Sequence, residues 1–519
     1  MDRNSVLQII QSDITWDLII IGGGATGIGA ALEAATRGYQ TLLLEQSDFT
    51  KSTSSKSTKL VHGGVRYLAQ GDIKLVREAS VERGLLVQNA PHLVKNQAFI
   101  IPSYSWWERP WFTVGLKLYD LLAGKLSLGP SVPISAQETI AHLPTIKTHK
   151  LRGGVLYHDG QFDDSRLAIN VVQTTFEQGG YAVNYMAVTN LLKDENGKLT
   201  AVQAYDAENK QPYTIRGKMV LNATGVFTDQ ILKMDNPENK TSIRPSQGVH
   251  LVLDKEFLPG DFALMVPKTD DGRVLFLVPW HGKVIVGTTD TPVTEASLEP
   301  QALESEIEFI LSTAGRFLTR SPKRADVRSV FAGLRPLAAV NGSAQGTKEV
   351  SRSHKIMVAP SGLVSILGGK WTTFRKMAEE AIDQIESVAN WPHKPSVTSQ
   401  LKIHGAANPD PANSLSNYGT DAGHIQALIA EQPELGEYLS QKLGILKAQV
   451  IWAVRKEMAR NVEDVLARRV RALLLDARES IRLAPATARL MAQELGYSEK
   501  WQQQQIEEFT QLAQQYLLK

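Results

Sequence analysis

The fold of this chain is narrowed first by six residues, Gly22-Gly23-Gly24-Ala25-Thr26-Gly27. Before them stands a short apolar run, Trp16–Ile21, that reads as a buried strand. After them an Ala-rich stretch, Ala25–Arg37, reads as a helix closed by Gly38. A second apolar strand, Gln40–Leu44, follows and ends in Glu45, 18 positions past Gly27. Strand, glycine turn, helix and strand make a βαβ unit, so the expected class is α/β, with a parallel sheet covered by helices. The six residues match G-x-G-x-x-G, and each glycine has a physical task. Gly22 permits the tight turn, Gly24 lets backbone approach a pyrophosphate, and Gly27 lets helix and strand pack closely. The helix N-terminus at Ala25 and Thr26 offers free N–H groups and a positive dipole end to the phosphates. Glu45 is placed to accept hydrogen bonds from the adenosine ribose hydroxyls, and its charge disfavours a 2′-phosphate. The motif therefore points to a dinucleotide without choosing which one.

A chain of 519 residues, 43% of them apolar, is too long for one compact core, so two or three domains are expected. With 56 Lys+Arg against 54 Asp+Glu, nothing suggests a nucleic-acid binder, although a local cationic pocket is compatible with that balance. The absence of cysteine excludes disulfides, thiolate zinc sites, iron–sulfur clusters and a Cys-linked flavin, and fits a reducing compartment. There is no HExxH, no paired His–carboxylate cluster and no G-x-S-x-G elbow, so neither a metal nor a serine nucleophile is expected. Met1–Trp16 lacks the pattern of a signal peptide. The charge-free stretch Leu18–Leu32 is too short and glycine-rich to span a bilayer, so a soluble or peripherally attached protein is expected.

Residues 50–70 are rich in Ser, Thr and Lys, 72–90 read as helix, and 151–365 alternate short β-branched runs with Gly/Asn/Asp turns. Residues 406–420 read as a linker, and nearly everything from 421 onward as helix, with breaks at Gly423, Gly444 and Gly496.

Several motifs then stand together. Ile21–Gly38 resembles the N-terminal signature of FAD-dependent glycerol-3-phosphate dehydrogenases, and Gly368-Gly369-Lys370-Trp-Thr-Thr-Phe374-Arg375 resembles their second signature. Between them, in the family's order, lie the stretch Thr53–Tyr67, Gly287-Thr-Thr-Asp290-Thr-Pro and Ala332-Gly-Leu-Arg335-Pro. Arg455–Arg469 resembles the family's helical C-terminal domain. Ile28, Glu33 and Phe374 depart from the family pattern; the first two should alter packing more than chemistry, and Phe374 lacks a hydroxyl.

The resemblance implies FAD as cofactor and a Rossmann-like FAD-binding domain with an inserted mixed or antiparallel-sheet substrate domain and a C-terminal all-helical domain. The expected boundaries are 1–75, 150–240 and 330–390 for the FAD-binding part, and 76–149 and 241–329 for the substrate part. A linker over 391–420 and a helical domain over 421–519 complete the chain. Oxidising a secondary alcohol needs a base for its proton and a hydride acceptor aligned with the C–H bond, here N5 of FAD. The family resemblance implies that Arg66, Arg335, Arg352 and Lys370 line the substrate pocket, where guanidinium forks suit a phosphate dianion. Arg335 and Arg352 are the expected phosphate contacts; Arg66 and Lys370 reach either the phosphate or the hydroxyl end. His62 is the first candidate base and His250 the second. Tyr67 joins the substrate contacts. Cofactor contacts are expected from Gly22, Gly24, Ala25, Thr26, Gly27, Glu45, Thr53, Ser54, Ser55, Ser57, Thr58, His62, Gly63, Gly64, Thr224, Gly225, Gly368, Gly369, Lys370 and Thr372.

In this family the reduced flavin is emptied by a quinone or by oxygen. Oxidase members carry an insertion between the Gly-Leu-Arg-Pro and Gly-Gly-Lys motifs, whereas here 34 residues separate Arg335 from Lys370, which favours the dehydrogenase. The implied reaction converts sn-glycerol 3-phosphate to dihydroxyacetone phosphate, with electrons passing to a quinone. A lipid-borne quinone places the protein peripherally on the inner face of the cytoplasmic membrane, and a homodimer is compatible with the reading. Trp106, Trp107, Arg109, Trp111, Phe112, Lys117, Tyr119 and Lys125 are either an interfacial anchor or packing for the substrate domain. The rival functions are an oxygen-using oxidase of glycerol phosphate, amines or 2-hydroxy acids, and an FAD-binding protein without turnover.

Overall fold

The computed structural model describes residues 1–64, 72–269, 272–339 and 354–518. Of the expected site residues, Arg66, Tyr67 and Arg352 lie outside the described residues.

The first sheet grows from Thr15–Ile21, whose Leu18, Ile19 and Ile20 are fully buried, as a parallel strand covered on both faces requires. It pairs in parallel with Thr41–Leu44 on one side and Gln211–Asn222 on the other. Tyr181–Val183 and Val364–Leu367 extend the parallel set outward, and Lys355–Val358 closes one edge antiparallel. A hairpin of Met186–Lys193 and Leu199–Asp206 joins the early part of Gln211–Asn222. The helices Ala25–Thr36, Asp164–Glu177 and Phe374–Ala389 share its core. The departures Ile28, Glu33 and Phe374 all sit in this packing. Ile28 is fully buried, Glu33 pairs with Arg37 at 2.8 Å, and the Phe374 ring fills the space left by Gly29.

Among the described residues the second sheet has ten strands, antiparallel except where Ala263–Val266 pairs with Val94–Ser103. Three of its strands, Leu60–Val61, Gly153–Phe162 and Ser329–Ala338, fall by sequence in or at the edge of the expected FAD-binding segments and hydrogen-bond in this sheet. Ser329–Ala338 runs in register with Ile243–Asp254 from Ile243↔Ala338 to Val252↔Ser329. Neither long strand carries a local signal for one sheet over the other, so only the long-range register decides between them.

The C-terminal part contains the helices Asp421–Glu431, Lys447–Lys456, Ala477–Leu495 and Glu499–Gln514. It also carries a small hairpin, Tyr438–Ser440 with Ile445–Leu446, which corrects the expectation of helix alone; Gly444 turns it at φ +67°. Gly423 does not break a helix but lies inside one, whereas Gly496 ends one at φ +70°. Leu466, Leu473 and Val450 pack against Val252, Trp280, Ile285 and Phe331 of the second sheet. Buried ion pairs tie this part to the first sheet: Asp48 meets Arg468 at 2.5 Å and Arg469 at 2.7 Å, and Glu457 meets Arg166. Removing one partner from such a pair typically costs about 3–5 kcal/mol, because the other charge stays buried.

Candidate active site

The strand–turn–helix unit opens into a cavity of about 350 Å³ lined from both sheets. At its start Gly22 adopts φ +108°, and a Cβ there would stand 2.8 Å from the Ala223 carbonyl oxygen. Gly24 caps the helix Ala25–Thr36 without a side-chain acceptor. Gly27 lies behind the turn, where a side chain would collide with the Gly22 carbonyl. It does not line the cavity; its role is the close packing expected from the motif. Glu45 accepts the Gly23 N–H at 2.6 Å and the Ser47 N–H at 2.8 Å. Burial raises its carboxyl to about 7, against the two N–H bonds that favour the anion.

Three segments distant in sequence close the rest of the wall. Thr53 donates its hydroxyl proton to the Leu334 carbonyl at 2.6 Å, beside Arg335. The Ser54 hydroxyl accepts the Ala25 N–H at 2.9 Å, and the Ser54 carbonyl accepts the Trp371 indole N–H at 2.8 Å. The His62 N–H donates to the Thr372 hydroxyl at 3.2 Å. These bonds bring the segment Ser52–His62, the strand bearing Arg335 and the turn Gly368–Thr372 onto one cavity.

Gly22, Gly24, Ala25, Thr26, Glu45, Thr53, Ser54, Ser57, Thr58, His62, Thr224, Gly225, His250, Arg335, Gly368, Gly369, Lys370 and Thr372 line it. Ser55, Gly63 and Gly64 are not among the lining residues. The Ser55 carbonyl faces the C-terminal part, and the Gly63 N–H donates to the Tyr119 hydroxyl at 2.7 Å, on the far side of the loop.

Arg335 holds its guanidinium across Thr289 O at 3.0 Å, Thr288 Oγ1 at 3.2 Å and Gln247 O at 3.3 Å, with Asp290 at 3.4 Å. Asp290 in turn accepts the Ser246 hydroxyl. His250 stacks on Phe331 at 4.9 Å, and its Nε2 stands 2.9 Å from the Thr58 hydroxyl. Burial, with Arg335 and Lys59 nearby, pushes its pKa well below the usual histidine range, so the ring is neutral at neutral pH. Its Nδ1 is buried and has no hydrogen-bond partner among the described residues.

Some lining residues carried no signal in the sequence. Met186, Val188, Ile231 and Met234 form an apolar side that resembles any buried strand or helix face. Lys51, Ser52 and Lys56 lay within the Ser/Thr/Lys-rich stretch but were indistinguishable from its solvated residues.

A glycine turn that opens a helix, a hydroxyl-rich wall and cationic side chains in the lining fit an extended dinucleotide that carries a redox ring. Residues 17–375 match the family model described as FAD dependent oxidoreductase, so the fold and cavity define an enzyme of that class, with FAD as cofactor. Residues 363–502 match the model for the C-terminal domain of alpha-glycerophosphate oxidase. The chain is 36% identical to the mitochondrial glycerol-3-phosphate dehydrogenase of Homo sapiens, over 97% of this chain and 74% of that protein. It is 38% identical to the probable mitochondrial glycerol-3-phosphate dehydrogenase of Caenorhabditis elegans, with the same two coverages. Its structure superposes on the FAD-complexed glycerol-3-phosphate dehydrogenase of Bacillus halodurans with a TM-score of 0.81, over 99% of this chain and 97% of that one, at 28% identity. The chain belongs to the FAD-dependent glycerol-3-phosphate dehydrogenase family.

Proposed function

We propose that this enzyme oxidises sn-glycerol 3-phosphate at C2 to dihydroxyacetone phosphate and passes the electrons to a membrane quinone. The observation that carries the reading is the convergence of His62, His250, Arg335 and Lys370 on the cavity that begins at the dinucleotide turn. FAD, when bound, supplies the acceptor for the hydride leaving C2.

The protein's own groups divide the remaining work. Arg335 is held by three oxygen acceptors and Asp290, so its fork is oriented before a phosphate arrives and loses little freedom on binding. Lys370 precedes the turn Trp371–Thr373 and adds a second cation to the lining of the cavity. His62 takes the C2 hydroxyl proton. His250 is the weaker candidate, because its depressed pKa leaves it little hold on an abstracted proton. Anaerobic addition of glycerol 3-phosphate to the yellow protein should bleach the flavin's visible band, and a quinone analogue should restore it faster than air does. A band unchanged by substrate would remove glycerol 3-phosphate from the reading. Peroxide formed under air in step with substrate use would transfer the enzyme to the oxidases.

The quinone sends the protein to a membrane, and one face suits that. Trp106 is 82% exposed, Trp111 70%, Val114 71% and Leu121 75%. On the helix Glu108–Ala123, Trp111, Val114, Leu118 and Leu121 repeat at three- and four-residue spacing as one solvent-facing stripe, with exposed Lys117 beside it. The opposite face, Leu116, Tyr119 and Ala123, is buried. An outward apolar stripe with a basic residue beside it suits a helix lying in an anionic lipid interface. Among the described residues no helix is long and apolar enough to cross a membrane. Pelleting with anionic vesicles tests this attachment; a protein that stays in the supernatant as a dimer would assign the stripe to a second copy.

A further inference from the structure

The segment Ser52–Thr58 forms one wall of the cofactor cavity, and its back is held by the C-terminal part. Arg471 makes that contact. Its Nη2 donates to the Asp164 carboxylate at 2.7 Å and to the Ser55 carbonyl at 3.2 Å, while Nη1 donates to the Ser165 hydroxyl at 2.7 Å. Asp164 passes the contact on, accepting the Ser57 hydroxyl at 2.7 Å and the Lys59 ammonium at 2.5 Å. Lys59 returns to the same Ser55 carbonyl at 2.6 Å. Arg471, Asp164 and Lys59 are all buried. The Arg471 guanidinium lies 5.4 Å from the Trp280 ring and the Lys59 ammonium 5.4 Å from the Phe331 ring, on which His250 stacks.

Arg471 occupies the left-handed region at φ +63°, between the turn of helix Asp464–Arg469 and the short helix Ala472–Leu475. L residues rarely adopt that conformation, and here it aims the side chain out of the helical part and into the cofactor wall. A planar fork with parallel donors can hold a carboxylate, a hydroxyl and a carbonyl at once, which a lysine ammonium on a flexible stem does not reproduce.

We propose that Arg471 is a positioning residue for FAD, and that through it the C-terminal helical part clamps the Ser52–Thr58 wall against the cofactor. The proposal rests on FAD filling the cavity. It is independent of the substrate and acceptor proposed above, so a failure of glycerol 3-phosphate to bleach the flavin leaves it standing.

The test is the rate of FAD release from purified holoenzyme after dilution, followed by the return of flavin fluorescence, with melting temperature measured beside it. Arg471→Ala should release FAD at least about tenfold faster than wild type, the loss expected for one charge-assisted hydrogen-bond anchor. Arg471→Lys should fall between them. Leu483→Ala serves as the comparator: Leu483 is buried within the helix Ala477–Leu495, so the change loosens the C-terminal core without touching the wall. It should lower the melting temperature yet leave FAD release within about twofold of wild type, since its cost is a core cavity. Wild-type release from Arg471→Ala would overturn the proposal. So would an equal acceleration by Leu483→Ala, because general loosening would then suffice. If Arg471→Ala does not accumulate as folded protein, Arg471→Lys decides: release faster than wild type supports the clamp, and unchanged release overturns it.

Discussion

Gly22→Ala tests the placement of the cofactor turn. The added Cβ would stand 2.8 Å from the Ala223 carbonyl oxygen, 3.0 Å from its carbon and 3.1 Å from Thr224 Cα. Ordinary contact begins near 3.4 Å, so the backbone there must give by roughly half an ångström. Overpacking of this kind costs about 1–3 kcal/mol. The φ of +108° adds a second penalty on the order of 1–3 kcal/mol for an L side chain. Gly179→Ala separates the two, because Gly179 has φ +81° with nothing within 4 Å and so carries only the conformational part. Ala223 and Thr224 line the cavity, so their displacement should also weaken FAD binding by about tenfold to a hundredfold, or roughly 1.4–2.8 kcal/mol. Titration of the apoprotein with FAD gives the affinity, and thermal denaturation gives the stability loss. A Gly22→Ala protein that binds FAD normally and melts no lower than Gly179→Ala would refute the argument that Gly22 is required by contact.

Arg335→Ala should raise KM for glycerol 3-phosphate by about 10–100-fold while FAD stays bound, since one or two charge-assisted bonds of roughly 1.5–3 kcal/mol are lost; purification as colourless protein would count against a substrate role. Glu45 has a folded pKa of about 7 against an ordinary 4.5, so the folded carboxyl holds its proton more tightly than the unfolded one. The cofactor-free protein should therefore lose stability through Glu45 as pH rises from 4.5 to 7, and Glu45→Gln should flatten that part of the melting curve against pH. Identical pH profiles would refute it. Replacing Trp111 and Leu121 together with Ser should abolish pelleting with anionic vesicles and leave anaerobic flavin reduction unchanged; undiminished pelleting would move the lipid contact elsewhere.

The cofactor turn was legible in the sequence because its requirements are local. Gly22, Gly24 and Gly27 are needed by a turn, a helix N-terminus and a strand that lie within thirty residues of one another, and Glu45 closes the unit. The same holds for Gly496, whose left-handed φ ends a helix from within its own last turn. Gly423 shows the limit of such a signal, since a glycine inside a helix looks no different from one that stops it.

Strand partnership was not legible. Gly153–Phe162 and Ser329–Ala338 are buried along most of their length and carry no local mark of the sheet they join, and the second sheet claims them through pairs that lie far apart in the chain. Nor does the sequence distinguish Ser55 from Ser54, although one carbonyl faces Arg471 and the other the Trp371 indole. What the sequence alone determined was the family of chemistry: a dinucleotide turn, a set of cationic and histidine side chains, and no cysteine or metal motif. Which of those side chains meet, and that a buried arginine more than four hundred residues away should reach the cofactor wall, was decided only by tertiary structure. Burial, direction and long-range register belong to the folded chain as a whole, and no local run of residues contains them.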